Sequence, residues 1–303
     1  MKIIQKRKGF LFLSTALVIA SVVLLSMWGL KKGIDFTGGV LLELKFSQDV
    51  PTNEEVSDSL SNFELGSLTV QPSEEGTMFV RFVSDDDTKN EEVQARIRDS
   101  FEGVSIERVE FVSSVISNEL KKKAITAIVL AVIGIAAYIT WAFRKVSYPV
   151  ESWKYGIAAV IALAHDTIIT IGIFSFLGKF YGIEVNIPFI AALLTILGYS
   201  VNDTIVVFDR IRENLNRAGA KHDFEETVNN SINETLARSI NTSLTVFIVL
   251  LATIFFGGVT IKYFSLALLI GIFFGTYSSI FIASAFLVEV WKRGVRAKQK
   301  ELN

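Results

Sequence analysis

The chain has 303 residues, half of them hydrophobic, with 30 Lys/Arg against 31 Asp/Glu and a formal net charge of −1. Mean hydropathy of +0.45 is well above that of a soluble globular chain, and the absence of a basic groove-sized cluster gives no footprint for nucleic acid. Without cysteine there is no disulfide framework or thiolate metal site, and two histidines, His165 and His222, do not make a His-rich one, so neither metal nor cofactor is expected.

A spanning helix needs about 20 mostly apolar residues to cross ~30 Å of hydrocarbon. Residues 1–30 supply the first such span, a basic start (Lys2, Lys6, Arg7, Lys8) followed by an apolar run over 10–30. The run is longer than a usual signal-peptide core and no small-x-small cleavage pattern precedes Lys31, so it reads as an uncleaved anchor.

Residues 31–123 change to soluble patterning. Val40, Leu42, Leu44 and Phe46 alternate with more polar positions and predict a strand over 39–46. Thr52 and Glu55 have the spacing of a capping box and open a helix over 53–63. Short strands over 68–71 and 77–83 bracket a turn at 72–76, Thr88 with Glu91 suggests a second capping box opening a helix to 101, and a strand over 105–112 follows. The order β-α-β-β-α-β is that of a ferredoxin-like α+β sandwich. With 19 Asp/Glu against 11 Lys/Arg over 31–123, this domain carries a solvated acidic surface and no catalytic constellation, which favours a contact surface for another polypeptide.

Residues 124–290 return to membrane patterning, with spans at 124–143, 153–177, 188–208 and 263–288. The apolar run at 244–256 is too short to cross alone. A full fifth span therefore takes in 236–243 and carries Arg238 into one membrane edge. Phe224, Val228, Ile232 and Leu236 recur at helical spacing in 223–238 and predict an amphipathic helix lying on the membrane surface. Gly271, Gly275, Ser279 and Ala283 form a small-residue packing face on the sixth span, and residues 291–303 form a tail. Short-loop charge sets orientation. Arg144, Lys145 and Lys154, then Arg210, Arg212, Arg217, Lys221 and Arg238, then Lys292, Arg293, Arg296, Lys298 and Lys300 join the basic N-terminus on one side, against Lys179 and Lys262 on the other. Both termini are expected in the cytoplasm and residues 31–123 outside it.

Ionisable residues within spans are costly and mark pathways or relays. Asp166 lies about 20 Å from the inner end of its span and Asp203 about 9 Å from the cytoplasmic edge, at 1.5 Å per residue. Thr195, Tyr199 and Asp203 share one face of the fourth span, flanked by Asn202, with Gly198 allowing close approach. Arg238, Asn241, Thr242 and Thr245 line one stripe of the fifth. Two such faces at similar depth satisfy each other by meeting inside the bundle, so Asp203 and Arg238 are expected to approach, directly or through water. One reading is a permanent interhelical clasp. The other is a protonation switch, because burial and a neighbouring arginine pull a carboxylate in opposite directions. For His165 the reading is a buried neutral imidazole bonded to a neighbour, with a relay role open. No phosphate-binding loop, metalloprotease helix or nucleophile elbow is present, so no enzymatic activity is expected and energy would come from a gradient or a partner.

Several segments resemble the SecD/SecF family of the RND superfamily. They are Asp35-Phe36-Thr37-Gly38-Gly39 after the first span, Ala164-His165-Asp166, the run from Gly198 through Asn202-Asp203-Thr204 to Asn214, and Glu234 through Arg238 to Ser243. The resemblance covers the chain from Asp35 to the sixth span. It implies a membrane six-helix bundle, a half-transporter of RND type with an extracytoplasmic ferredoxin-like domain, that pairs with SecD and works beside the SecYEG channel, with YajC a further candidate partner. It also implies use of the proton-motive force, or sodium, to promote movement of unfolded polypeptide across the cytoplasmic membrane of a bacterium, with Asp203 and Arg238 in the ion pathway. A small-molecule or lipid exporter half and a passive translocon scaffold remain as alternatives. Gly38-Gly39 reads equally as a plain turn or as a hinge.

Overall fold

The computed structural model describes residues 1–47, 49–72, 76–144, 150–218 and 223–301; the middle of the expected turn at 72–76, Lys145, Lys221 and His222 lie outside these. In chain order the elements are α1 (Arg7–Trp28), α2 (Ile34–Thr37), β1 (Gly39–Phe46), α3 (Asn53–Ser59), β2 (Gly66–Pro72), β3 (Thr77–Val83) and α4 (Asp87–Ser100). They continue with β4 (Val104–Val112), α5 (Ser114–Ala142), α6 (Ser152–Tyr181), α7 (Ile187–Ala218), α8 (Phe224–Phe256) and α9 (Val259–Ser278). A π-helical turn, Ser279–Ala283, then leads into α10 (Ser284–Glu301). The chain divides into one unit of Met1–Leu30, Thr126–Ile183 and Pro188–Asn303, and a second of Lys31–Ile125 with Glu184–Ile187.

Among the described residues six helical stretches are long and apolar enough to cross a membrane: Ile4–Trp28, Ser114–Ala142, Ser152–Tyr181, Ile187–Arg217, Phe224–Phe256 and Ile261–Arg296. The expected six-span helical fold is therefore present, and the chain is a multi-pass membrane protein. The last span is one path through α9, the π turn and α10.

In the second unit the strands pair antiparallel in the order β2-β3-β1-β4, the ferredoxin-like arrangement expected from the element order. Period-2 alternation puts Val40, Leu42, Leu44 and Phe46 of β1 beside Met78, Val80 and Phe82 of β3 on one buried face. Val56 and Leu60 from the α3 region and Val93 and Ile97 of α4 close that core. Each such side chain, fully removed from water, contributes about 1.5–3 kcal/mol. The Thr52–Glu55 capping box forms as expected, with Glu55 N–H donating to Thr52 Oγ1 at 3.2 Å and Thr52 N–H to Glu55 Oε2 at 2.8 Å. The second expected box does not form. Asp86 caps α4 instead, accepting from the N–H groups of Thr88 and Lys89, so the helix starts before Thr88 and Thr88 lies within its first turn.

The first unit is organised by small residues at helix crossings. A Cβ on Gly172 of α6 would sit 2.6 Å from Ser21 Cα of α1, and one on Gly271 of α9 would sit 2.1 Å from Ile196 Cδ1 of α7. Gly275 faces Ser200 in the same way at 3.0 Å, so the expected small-residue face of the sixth span packs on the fourth. Gly198, by contrast, has open space where its Cβ would be, so it is not the close-packing position that its place beside Asp203 suggested. Phe143, Tyr155 and Phe208 fill one end of the core, with stacked and edge-on ring centroids 5.2–6.0 Å apart.

The expected surface helix at 223–238 is not separate. It is the first half of α8, a continuous helix of 33 residues, and its apolar stripe of Phe224, Val228 and Ile232 belongs to the bundle core. Polar anchors explain why this stripe packs inward. Asn229 Oδ1 accepts from the N–H groups of Ile3 and Ile4 at 2.9 and 3.2 Å. The buried Arg7 donates to Glu289 of α10 at 2.7 Å and to Glu225 of α8 at 2.8 Å, and Lys292 also pairs with Glu225. Arg7 and Lys292, expected only as orientation charges, thus also tie α1, α8 and α10 together.

The contact between α1 and α6 leaves no room at Gly172. Gly172→Ala is expected to destabilise the bundle by about 2 kcal/mol through overpacking. Gly134→Ala, at a position open on all sides, is expected to leave stability unchanged or raise it slightly; thermal unfolding of the two purified variants in detergent distinguishes them.

Candidate functional site

Asp166 of α6 is fully buried and meets polar side chains from α6, α7 and the end of α9. The Ser200 hydroxyl of α7 donates to Oδ2 at 2.6 Å, the Ser278 hydroxyl at the end of α9 donates to Oδ2 at 2.8 Å, and His165 Nδ1 lies 2.9 Å from Oδ1. Beside this cluster Thr204 Oγ1 and Ser279 Oγ are hydrogen-bonded at 2.9 Å, and Ser279 donates to the carbonyl of Gly275 at 2.8 Å. The result is a buried polar seam through α6, α7, α9 and the π turn. Such π turns arise where a helix accommodates one extra residue and are frequent at functional sites.

Asp203, one turn further along α7, accepts from Ser239 of α8 at 2.6 Å, while its Oδ2 is buried without a partner. The direct form of the expected approach of Asp203 and Arg238 is not made: among the described residues no ion pair joins them, and Arg238 is exposed. The reason is helical phase. Ser239 occupies the inward face of α8, and Arg238, one residue or about 100° away, points elsewhere. Asn241, Thr242 and Thr245 are exposed with it, so the polar stripe of the fifth span lies on the outside of the bundle. On α7, Thr195 and Asn202 are also exposed and Tyr199 is half-buried, its hydroxyl donating to Ser243 of α8 at 3.4 Å. Ser243 in turn bonds Thr276 of α9 at 2.5 Å. Sequence reading missed Ser200, Ser239, Ser243, Thr276 and Ser278 as polar partners. Their signal was present, since hydroxyls recur on the inward faces of otherwise apolar helices, but small residues there read equally as packing positions.

The motif after the first span has a compact structural role within the second unit. Gly38 and Gly39 adopt φ of +75° and +113°, and a Cβ on Gly39 would lie 2.3 Å from the carbonyl oxygen of Phe82. Both glycines are therefore required by backbone conformation, and Gly39 also by close approach of β1 to β3. Asp35 Oδ2 accepts from the N–H of Ile187, the first residue of α7, at 2.8 Å. The N–H of Gly33 donates to the carbonyl of Val185, and Val185 N–H to that of Lys31, both at 2.8 Å. Phe36 is buried, and the Thr37 hydroxyl donates to the carbonyl of Gly33 at 3.1 Å. Alongside, Glu184 pairs with Arg81 of β3 and lies 3.9 Å from Lys31. Burial lowers the Arg81 guanidinium to about 10, with Glu110 working in the opposite direction. Burial, and then repulsion from Arg81, also lowers Lys31, so Glu184 answers two cations that are partly withdrawn from water.

Residues 92–293 match the family described as protein export membrane protein SecD/SecF, C-terminal, and residues 29–50 match the SecD/SecF GG motif. The chain belongs to the SecD/SecF protein-export family. It is 42% identical over 299 residues to the protein translocase subunit SecF of Thermobaculum terrenum, covering 94% of this chain and 92% of that one. With the subunit of the same name from Anaerolinea thermophila it shares 40% identity over 300 residues, covering 97% and 95%. The crystal structure of SecDF, a translocon-associated membrane protein from Thermus thermophilus, superposes with a TM-score of 0.83 at 33% identity over 96% of this chain. A second SecDF structure, in a super-membrane-facing form, gives 0.70 at 32% identity over the whole chain. The chain spans 38% and 40% of those two longer proteins. As a family member of SecF type, it carries the glycine pair where the GG motif falls.

Gly39→Ala adds a Cβ both at positive φ and against a backbone oxygen, and is expected to weaken the β1–β3 pairing by about 3 kcal/mol. Asp35→Ala removes one cap, for about 1 kcal/mol. Hydrogen exchange of β1 and β3 amides in the full chain reads the first, and exchange at Ile187 the second; equal protection in Gly39→Ala and the parent chain would contradict the assigned role.

Proposed function

We propose that the chain is the SecF-like half of a Sec-translocon accessory complex in the cytoplasmic membrane, with both termini in the cytoplasm and the ferredoxin-like domain outside. It pairs with SecD, works beside SecYEG and YajC, and uses a gradient of H⁺ or Na⁺ to promote passage of unfolded polypeptide. In this reading it is a coupling subunit rather than an enzyme. The observation that carries it is the half-satisfied carboxylate of Asp203 beside a polar stripe that faces out of the bundle. Exposed Arg238, Asn241, Thr242 and Thr245 in a span are unfavourable against lipid and call for a polar surface on another protein. That the chain spans about two fifths of the SecDF proteins is consistent with the remaining part coming from a separate chain. The asymmetric distribution of Lys and Arg supports the orientation.

Coupling then follows from the chemistry of Asp203. Ionised, it accepts from Ser239 and draws a cation to its free oxygen. Neutralised by a proton or by Na⁺, it releases that attraction, and the relation of α7 to a partner helix changes. Arg238, on the outer face of α8, is placed to answer a carboxylate of the partner rather than Asp203 itself.

Asp203→Asn keeps shape and the Ser239 contact but cannot ionise. It is expected to reduce gradient-stimulated export in energised membrane vesicles at least tenfold while the complex with SecD still purifies intact; unchanged stimulation would refute ion coupling at this residue. Because the chain has no cysteine, single cysteines introduced at Asn241 or Thr245 form clean probes. They are expected to cross-link to cysteines in SecD spans, whereas a cysteine at Leu250, on the buried side of α8, is expected not to.

A further inference from the structure

The His165–Asp166 pair has a feature that its hydrogen bonds alone do not explain. Nδ1 of His165 faces Asp166, but Nε2 is buried with no hydrogen-bond partner, in a side chain only 5% exposed. Two hydroxyls approach the carboxylate as donors, Ser200 and Ser278, and Nδ1 of His165 lies 2.9 Å from its other oxygen. Two donor hydroxyls fit an ionised carboxylate, which accepts only; beside such an acceptor Nδ1 is the donor and the imidazole lone pair falls on Nε2. Among the described residues no lysine or arginine pairs with Asp166. A fully buried anion without a cation is costly, and the open lone pair of Nε2 is the atom of the pair able to take a compensating proton.

The serine at the end of α9 makes this charge matter mechanically. The Ser278 hydroxyl has two acceptors within reach, Asp166 Oδ2 at 2.8 Å and the carbonyl of Gly275 at 3.1 Å, and its single proton serves one at a time. Ser278 immediately precedes the π turn at Ser279–Ala283, where the helical hydrogen-bond ladder is already altered.

We propose that His165 and Asp166 form one reversible proton-binding dyad, with Nε2 of His165 as the atom that gains and loses the proton, and that its charge sets whether Ser278 holds Asp166 or the carbonyl of Gly275 at the entry to the π turn. The proton adds to the imidazole lone pair to give an imidazolium paired with the carboxylate, and no other bond is made or broken. Protonation removes the net charge of the pair and weakens its hold on Ser278. In place of a lone pair it leaves an Nε2–H that needs an acceptor, so the imidazole ring turns and the end of α9 relaxes with it. The dyad is separate from Asp203, which has its own partner on α8; its use in transport rests on the ion-coupling reading above, whereas its protonation does not.

The titratable group facing the imidazole directly is Tyr277 of α9, its ring 6.0 Å away and its hydroxyl hydrogen-bonded to Ser14 and to the carbonyl of Phe10 on α1. On α7 the nearest in sequence to Ser200 is Asp203, bonded to Ser239. On α1 and α10 the ionisable groups include Arg7 and Glu289, paired with each other, and Lys292, paired with Glu225 of α8. None of these supplies a proton acceptor to Nε2.

With two histidines in the chain, His222→Gln leaves His165 as the only one. In that variant, labelled with ¹⁵N-histidine and reconstituted in lipid nanodiscs without partners, Nδ1 is expected to remain protonated between about pH 5 and 9 while Nε2 passes from unprotonated to protonated. Ser278→Ala, with Ser200→Ala as a second variant should the first not fold, is expected to move the midpoint by about 0.5 pH unit or more, because a donor to the ionised carboxylate is lost. An Nε2 that keeps one state throughout, or an imidazole protonated at Nε2 and bare at Nδ1 in neutral solution, would overturn the dyad. A midpoint unmoved by Ser278→Ala would overturn the link to the π turn, and one unmoved by Ser200→Ala would overturn the carboxylate's part in the dyad. None of these outcomes bears on whether Asp203→Asn abolishes gradient-driven export, so the two readings fail separately.

Discussion

A carboxylate inside hydrocarbon must find its partners within protein, because the bilayer offers neither water nor counter-ion. Asp166 meets this requirement wholly from its own chain. Ser200, Ser278 and His165 reach it from three elements, and they do so only because Gly275 lets α9 come within van der Waals distance of Ser200. The close crossing and the polar cluster thus depend on each other. A larger residue at Gly275 would force Ser200 to shift, and without the carboxylate the row of buried hydroxyls would lose its common acceptor.

The same requirement sorts the remaining intramembrane polar groups into two kinds. Ser243 with Thr276, and Thr204 with Ser279, are satisfied inside the bundle and act as interhelical links, each of modest strength. Asp203 is only half satisfied, and Arg238, Asn241 and Thr242 are turned outward. Within the spans, buried atoms without a partner occur on α6, at Tyr155 and His165, and on α7, at Asp203, while α8 turns its polar stripe outward. The outward polar stripe of α8 is the feature on which the proposed pairing with a second protein rests.

How much of this was legible in the sequence depended on whether one helix turn was enough to decide a position. The ferredoxin-like domain was legible because alternation along Val40, Leu42, Leu44 and Phe46 and the Thr52–Glu55 box are local signals with few competing solutions. The six spans were legible from length and hydropathy. The partner of Asp203 was not, because residues 238 and 239 are adjacent in sequence yet face directions about 100° apart. Charge attraction favoured Arg238, while the apolar phase of α8, set by Phe224, Val228 and Ile232 packing into the core, turned Ser239 inward. Packing fixed the rotation of the helix and the polar contact followed from it. The same phase argument accounts for α8 being continuous: its first half carries an apolar stripe in register with the bundle, and Asn229, Glu225 and Arg7 supply polar contacts that a helix on the membrane surface would have to take from water.

The Asp35-Phe36-Thr37-Gly38-Gly39 segment shows a related economy of residues. Two glycines solve a backbone problem at the entry to β1, while Asp35 answers an orphan N–H at the start of α7. A hinge would require these residues to have alternative, comparably satisfied conformations. Here Gly39 is pressed against the carbonyl of Phe82, Phe36 is buried, and the backbone on both sides of Lys32 is bonded to Val185. Motion that separated these contacts would expose several backbone groups together and break the short pairing of Lys32 with Val185. In this conformation the motif forms a corner that joins residues 31–39 to 184–187 within one unit. Conformational change is then left to the places where the structure already offers alternatives: the two acceptors of Ser278, the π turn beside it, and the open carboxylate oxygen of Asp203.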